Sequence, residues 1–280
     1  MAGTDVYEVY AIEYAHRTDR RRSETFITNA WTDPVHDTDQ AISYYVWAIV
    51  NAERTIVVDT GFDTDEAARR RRESGDVWQP DMRCSPAEGL RLIGVDAATV
   101  AEVIITHLHF DHAGTLGQFP KARFHLQEQE MQFATGPNMA HEYCSGAYTV
   151  DHVVEMVRHV YGRRVKFHAG DADVAPGVSV HHIGGHTMGV QAVRVRTRRG
   201  WVVLASDASH FYDNFEGMDP FPIVHDVEAM LRGFERLYAL ADGPGHIVPG
   251  HDPKVMAKYP TATPDSTGIV VRLDVDPTAS

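Results

Sequence analysis

Residues 6–14 alternate apolar and polar positions and are rich in Val, Tyr and Ile, a spacing of two that predicts a β-strand. Residues 44–51 and 55–59 repeat the pattern around the polar 52–54, so the chain is expected to open as a meander with a hairpin there. Helical composition follows at 63–73 and 86–93, the second with Ser85 as N-cap ahead of Pro86 in the first turn. Residues 102–106 form a short apolar, β-branched run that predicts a buried strand. Beyond it, 123–126 reads as a strand, 127–134 as a helix, 136–148 as irregular chain and 150–160 as a helix. Strands are then expected at 165–169, 178–183, 192–197 and 201–205, with a tight turn at 198–200, before an amphipathic helix at 227–240 and a short strand at 246–248. This order predicts two sheets packed together with helices outside, in one domain spanning residues 1–280, because no linker or composition shift divides the chain.

Composition narrows the function. The net charge of −13 disfavours a phosphate backbone or an anionic membrane surface as partner, so neither nucleic acid nor membrane is expected. The short basic clusters at 20–22 and 69–72 read as solvated helix or loop faces. Two cysteines, Cys84 and Cys144, are too few for a disulfide framework and lack the paired spacing of a thiolate zinc site, which fits a reducing compartment. No apolar run reaches the length of a membrane span, and residues 1–22 carry charges where a signal peptide needs an apolar stretch; a cytoplasmic protein is expected. The 17 histidines are the compositional oddity, and they direct attention to metal ligands.

Four ligand-type residues fall within six positions in His107-Leu108-His109-Phe110-Asp111-His112, just past the predicted strand at 102–106. An extended hexamer would turn His107, His109 and Asp111 to one face and Leu108 and Phe110 into packing, with His112 brought round by a turn at Ala113-Gly114. Burying these groups together is costly unless a cation compensates them. Gly184-Gly185-His186-Thr187, Ser206-Asp207-Ala208 and Pro249-Gly250-His251-Asp252 each follow a predicted strand and offer further ligands. Five histidines and two aspartates exceed one tetrahedral zinc but suit two zinc ions sharing a carboxylate and a hydroxide. Nitrogen and oxygen ligands without thiolate leave iron, manganese and cobalt open as well.

The series His107-x-His109-x-Asp111-His112, His186, Asp207, His251 resembles the metallo-β-lactamase superfamily over residues 59–251. The resemblance implies an α/β fold, a four-layer αββα sandwich with a dinuclear metal site at the sheet edge. Within it, residues 106–114, Gly170-Asp171 ahead of Ala175-Pro176-Gly177-Val178, and Ser206-Asp207-Ala208-Ser209 are similar to the quorum-quenching N-acyl-homoserine lactonases. That likeness implies His107, His109 and His186 on one metal, Asp111, His112 and His251 on the other, and Asp207 bridging. The expected activity is opening of a lactone, or another small carboxylic ester, by a hydroxide held between the metals, with Asp111 and Asp207 counted among the catalytic groups.

One position departs from that branch. Where those lactonases commonly carry a tyrosine three residues after the bridging aspartate, this chain has His210, with Tyr212 two residues on. Either His210 donates the hydrogen bond to the lactone, or Tyr212 reaches in, or the substrate differs. Phe110, Met139, Tyr143, Met188, Phe211, Tyr212, Phe215 and Met218 are candidates for an apolar substrate pocket. Glyoxalase-II-like thioester hydrolysis is the main rival reading, although residues 253–280 are short and strand-like where such enzymes bring a basic helical region. A non-catalytic metal or redox module on the same fold is the rival from another class. No organic cofactor is expected, and a homodimer is left open.

Overall fold

The structure, a computed structural model, describes residues 5–28 and 34–278; Met1–Thr4 of the charged start and the last two residues of the 253–280 tail lie outside it. An eight-stranded sheet is built from β1 (Glu8–Arg17), β2 (Ile42–Val50), β3 (Thr55–Val58), β4 (Asp81–Met82), β5 (Glu102–Ile104), β6 (Arg123–Gln127), β7 (Val165–His168) and β13 (Val270–Arg272). Its order is β13-β1-β2-β3-β5-β6-β7, with β4 added to β1. The second sheet has the order β12-β11-β10-β9-β8, from β8 (Ala172–Ala175), β9 (Val178–His182), β10 (Gln191–Thr197), β11 (Gly200–Ser206) and β12 (Ile247–Pro249).

β2 illustrates why the sheets stack. Tyr45, Trp47 and Ile49 face the core shared with the second sheet, while Tyr44, Val46 and Ala48 face the helices on the other side. A strand covered on both faces must be apolar at every position, and residues 44–49 are. The outer helical layer over the first sheet comprises α1 (Thr64–Glu73), α2 (Pro86–Arg91), α4 (Glu128–Ala134) and α6 (Val150–Tyr161). On the far side α8 (Val227–Leu240) packs Met230, Phe234 and Leu237 against the second sheet. The result is the expected αββα layering.

Most expected elements form within a few residues of their predicted ends, including α2, where Ser85 and Glu88 make a capping box. Three expectations change. β8 has no strand signal of its own, being Ala-Asp-Val-Ala, and exists because it pairs with β9. The 136–148 stretch contains α5 (Glu142–Ser145) and a 3₁₀ turn at Pro137–Ala140 rather than being wholly irregular. The 107–112 hexamer is not extended throughout: His109 stands at the start of a single helical turn, α3 (Phe110–Ala113). That turn is imposed from outside, since Phe110 N–H donates to Ala147 O and Gly114 N–H to Gly61 O.

The tail adds α9 (Lys254–Lys258) and then β13, which pairs antiparallel with β1 and caps that sheet edge. No helix among the described residues is long and apolar enough to cross a membrane.

Candidate metal centre

β3, β5, β6 and β7 run parallel, and β9, β11 and β12 share one direction in the second sheet. The ligand-type residues all follow carboxyl ends of these strands: Asp59 after β3, His107 and His109 after β5, His186 after β9, Asp207 after β11 and His251 after β12. Such ends are where loops from many strands can meet, supported by a rigid scaffold. Gln191 N–H, donating to Thr106 O, links the two sheets at this edge.

All seven predicted residues converge and are buried. His107, His109 and His186 form one group: His186 Nε2 lies 3.2 Å from His107 Nε2 and 3.0 Å from His109 Nδ1, and His107 Nε2 lies 3.0 Å from His109 Nδ1. Asp111, His112 and His251 form the other, with Asp111 Oδ2 3.5 Å from each of His112 Nε2 and His251 Nε2. Asp207 stands between, Oδ2 3.3 Å from His186 Nε2 and Oδ1 3.2 Å from His112 Nε2 and 3.0 Å from His251 Nε2. Asp111 therefore joins His112 and His251, not His107 and His109 as an extended hexamer would require. The helical turn α3 carries it across.

A second ring of contacts sets which nitrogens face inward. His186 Nδ1 lies 2.7 Å from Ile223 O and His251 Nδ1 lies 2.7 Å from Ser43 O; each nitrogen must donate to its carbonyl, which leaves Nε2 of both free to bind. His112 Nδ1 meets Asp59 Oδ2 at 2.8 Å, and Asp59 also receives Thr106 N–H and Thr106 Oγ1–H. Asp59 holds a left-handed backbone, φ 62°, and so does Ser206, φ 47°, immediately before Asp207. Such conformations are uncommon for side chains with a Cβ, and they collect at functional sites.

These residues fit divalent cations. The inward-facing nitrogens of His107, His109 and His186 present lone pairs to one another at hydrogen-bond distance, and buried His112 Nε2 and Asp207 Oδ1 lack a hydrogen-bond partner. Burial holds His107, His109 and His186 well toward the neutral form. Burial also opposes charge on His112 and His251, yet Asp207, together with Asp111, outweighs it and raises both. The site thus calls for positive charge between the two groups, as cations supply. Gly250 is required by the close approach of loops here, since a Cβ on it would stand 2.7 Å from Asp207 Oδ1.

His210 reaches the site and Tyr212 does not. His210 Nε2 is 2.9 Å from Asp207 Oδ2, and its ring stacks on Phe221 at 3.6 Å between centroids. Burial pushes the His210 imidazole down to about 3, so it is a neutral ring carrying one N–H. Tyr212 belongs to the core between the sheets, with Lys258 Nζ 3.6 Å over its ring and its backbone N–H on Asp252. The chain turns at His210-Phe211 into α7 (Tyr212–Gly217), which directs this phenol away from the cleft. The expectation of a catalytic Tyr212 is corrected accordingly.

The cluster floors a cleft with two lobes. One, about 320 Å³, is lined by Phe110, Phe133, Tyr143, Cys144, Ile223 and Val224 beside His109 and His186. The other, about 420 Å³, opens over Asp111, Asp207, His210 and His251 and is walled by Tyr44, Trp78, Phe221, Arg17 and Arg20. Of the predicted pocket residues only Phe110 and Tyr143 line it; Met139, Met188, Phe211, Tyr212, Phe215 and Met218 do not. Two arginines read as solvated are also corrected: Arg20 is 9% exposed, and Arg70 lies 3.6 Å over the Phe110 ring while pairing with Glu66.

One residue central to this geometry escaped the sequence reading. Glu130 on α4 is fully buried, and its carboxylate accepts from Leu108 N–H (2.9 Å), Tyr148 O–H (2.8 Å), Thr187 O–H (2.6 Å) and Gly189 N–H (3.2 Å). It ties the segment carrying His107 and His109 to the loop carrying His186. A Glu in a helix of mixed polarity gives no local signal of this.

Comparison with known proteins agrees with the geometry. The metallo-beta-lactamase superfamily model matches residues 39–251. An N-acyl homoserine lactonase (AttM) of Azorhizobium caulinodans is 26% identical over 242 residues, covering 80% of this chain and 87% of that protein. An N-acyl homoserine lactonase of Bacillus cereus is 31% identical over 201 residues, covering 69% and 74%. Among solved structures, a quorum-quenching N-acyl homoserine lactone lactonase superposes with a TM-score of 0.69 at 25% identity, covering 89% of this chain and 93% of that one. With its sandwich, its ligand series and these relatives together, the chain belongs to the metallo-beta-lactamase superfamily.

Proposed function

We propose that this protein is a metal-dependent hydrolase that opens the ring of a lactone bearing an apolar body, an N-acyl homoserine lactone or a close analogue. The observation that carries the reading is the convergence of two ligand groups on Asp207 at the floor of a cleft with an apolar lobe. The relatives named above support the lactone as the substrate class.

His107, His109 and His186 would hold one ion, Asp111, His112 and His251 the other, and Asp207 both; zinc is the proposed metal, two per chain. Divalent ions bound there supply Lewis acidity and bring the ionisation of water into the neutral range. The chain's residues do the rest. Asp59, Ser43 O and Ile223 O take the outer protons of His112, His251 and His186 and so fix those rings. His210 keeps its proton at Nε2, directed at Asp207, where it can instead donate to an oxygen of the substrate. Phe221 holds that ring in place by stacking. Phe110, Phe133, Ile223 and Val224 take the apolar body and exclude water beside the ester. Water adds to the ester carbonyl and the ring C–O bond breaks, leaving a carboxylate and an alcohol. The tail supports this reading over a glutathione-thioester one, because residues 254–272 are spent on α9 and on the sheet-edge strand β13.

We propose a cytoplasmic setting, supported by two free thiols at Cys84 and Cys144. The test of function is a panel of short- and long-chain acyl-homoserine lactones, aromatic lactones and thioesters. Highest kcat/KM on a lactone with an apolar body is expected; equal rates across the panel, or a preference for thioesters, would overturn the proposal.

A further inference from the structure

The lobe over Asp111, Asp207 and His251 contains a cation that the reaction above does not use. Arg20 lies in the β1–β2 connection with its side chain 10% exposed. Its Nη2 donates to Glu24 O at 3.0 Å, and its Nε is 3.9 Å from Glu24 Oε1, beyond hydrogen-bond distance. Nη1 is buried without a hydrogen-bond partner. Glu24 cannot be said to neutralise Arg20 closely, because its Oε2 accepts the Arg21 N–H at 2.6 Å. The neighbouring Arg17 is satisfied differently, with its guanidinium on Asp19 at 2.9 and 3.1 Å.

A guanidinium stays charged at any pH the protein meets, and a buried charge with a donor unpaired is costly unless a ligand completes it. The cavity it lines holds aromatic walls, Tyr44, Trp78 and Phe221, that leave the incoming group little water to bind instead. Besides Asp111 and Asp207, Glu24 is the other carboxylate lining that cavity. A neutral carbonyl would satisfy Nη1 with one ordinary hydrogen bond. A carboxylate would do so with a charge-assisted bond roughly twice as strong and would offset the buried charge too.

We infer that Arg20 is a specificity-determining residue, and that the substrate is a lactone carrying a carboxylate on the arm that enters this lobe. The inference rests on the lactone-hydrolase reading for its substrate and on Arg20 alone for its anion.

Two measurements on the metal-loaded protein separate those dependences. The first is kcat/KM for a butyrolactone with a ring carboxylate against its carboxamide. The wild type should prefer the carboxylate by about tenfold or more, mostly through KM, as expected for loss of a uniform binding contact. Arg20→Gln should bring the ratio near one, and Arg20→Lys should restore part of it. The second is calorimetric binding of the ring-opened product 2-hydroxyglutarate against 4-hydroxybutyrate, which lacks the extra carboxylate. The wild type should bind the first about tenfold more tightly, and Arg20→Gln should remove the difference. Absence of either preference in the wild type, or its persistence in Arg20→Gln, overturns the inference. Intact discrimination in binding without opening of any lactone would overturn the lactone reading and leave the anion site standing.

Discussion

Glu130 gives the sharpest test of how the ligand loops are held. Its carboxylate accepts four donors, two backbone N–H groups and two hydroxyls, from the segments on either side of the His107–His109–His186 group. Glu130→Ala strands all four; the two amides alone cost about 1–3 kcal/mol each when buried unpaired, so the loss is roughly 4 kcal/mol or more. Against a total stability of about 5–15 kcal/mol, that threatens folding. Glu130→Gln is the milder probe, because its carbonyl can keep Leu108 and Tyr148 while its NH₂ faces the Gly189 N–H as donor against donor. A cost of about 1–3 kcal/mol follows, equivalent to a fall in Tm of roughly 3–10 °C for a chain of this size. Because the strained contact carries the His186 loop, metal affinity should fall about 10- to 100-fold, as when an outer-shell partner of a ligand is removed. Thermal melts and competition with a chromogenic chelator measure the two effects. A Glu130→Ala protein that melts within about 2 °C of wild type and keeps its metal would refute the reasoning.

Asp207→Ala should lower occupancy of both ions together, read by elemental analysis; full metal content with near-normal rate would contradict the shared role. His210→Ala should reduce kcat by about ten- to a thousandfold with metal content intact, as for loss of one transition-state donor. Tyr212→Phe should leave kcat near wild type, and the reverse pattern would return the role to Tyr212. Gly250→Ala should weaken metal binding, checked by the same competition assay, because its Cβ would press on Asp207 Oδ1; unchanged affinity would show that the loop yields. Burial, then His125 and Lys166, hold His168 down to about 4 from 6.5. The unfolded chain therefore binds the extra proton first, and this contribution is complete above pH 6.5 and lost as the pH falls toward 4. About 2 kcal/mol should go over that window, and urea midpoints at pH 7 and 5 should converge less in His168→Gln than in wild type.

The ligand set was legible because its chemistry is local: His107, His109, Asp111 and His112 lie in six positions, and His186, Asp207 and His251 each follow a strand with a clear apolar run. Alternation in β2 likewise announced a strand covered on both faces. What failed depended on distant contacts. The turn of α3 is set by Gly61 and Ala147, so periodicity could not distinguish it from an extended segment. Charge runs conceal individual fates: Arg20 and Arg70 read as solvated, yet one is buried in the cleft wall and the other lies on Phe110 with its charge on Glu66. Tyr212 was two residues from a site residue, but a helix start between them reversed its direction. Glu130 was invisible because a helical glutamate is ordinarily a surface residue, and only the meeting of four donors makes it otherwise.

The central claim is that the His/Asp cluster holds metals that open a lactone. It is tested most directly by following ring opening of an acyl-homoserine lactone with a pH indicator, using protein as purified, after removal of metal with a chelator, and after addition of two equivalents of Zn²⁺. Activity should disappear with the metal and return as the second equivalent is bound. Undiminished ring opening by the fully stripped protein would contradict the account.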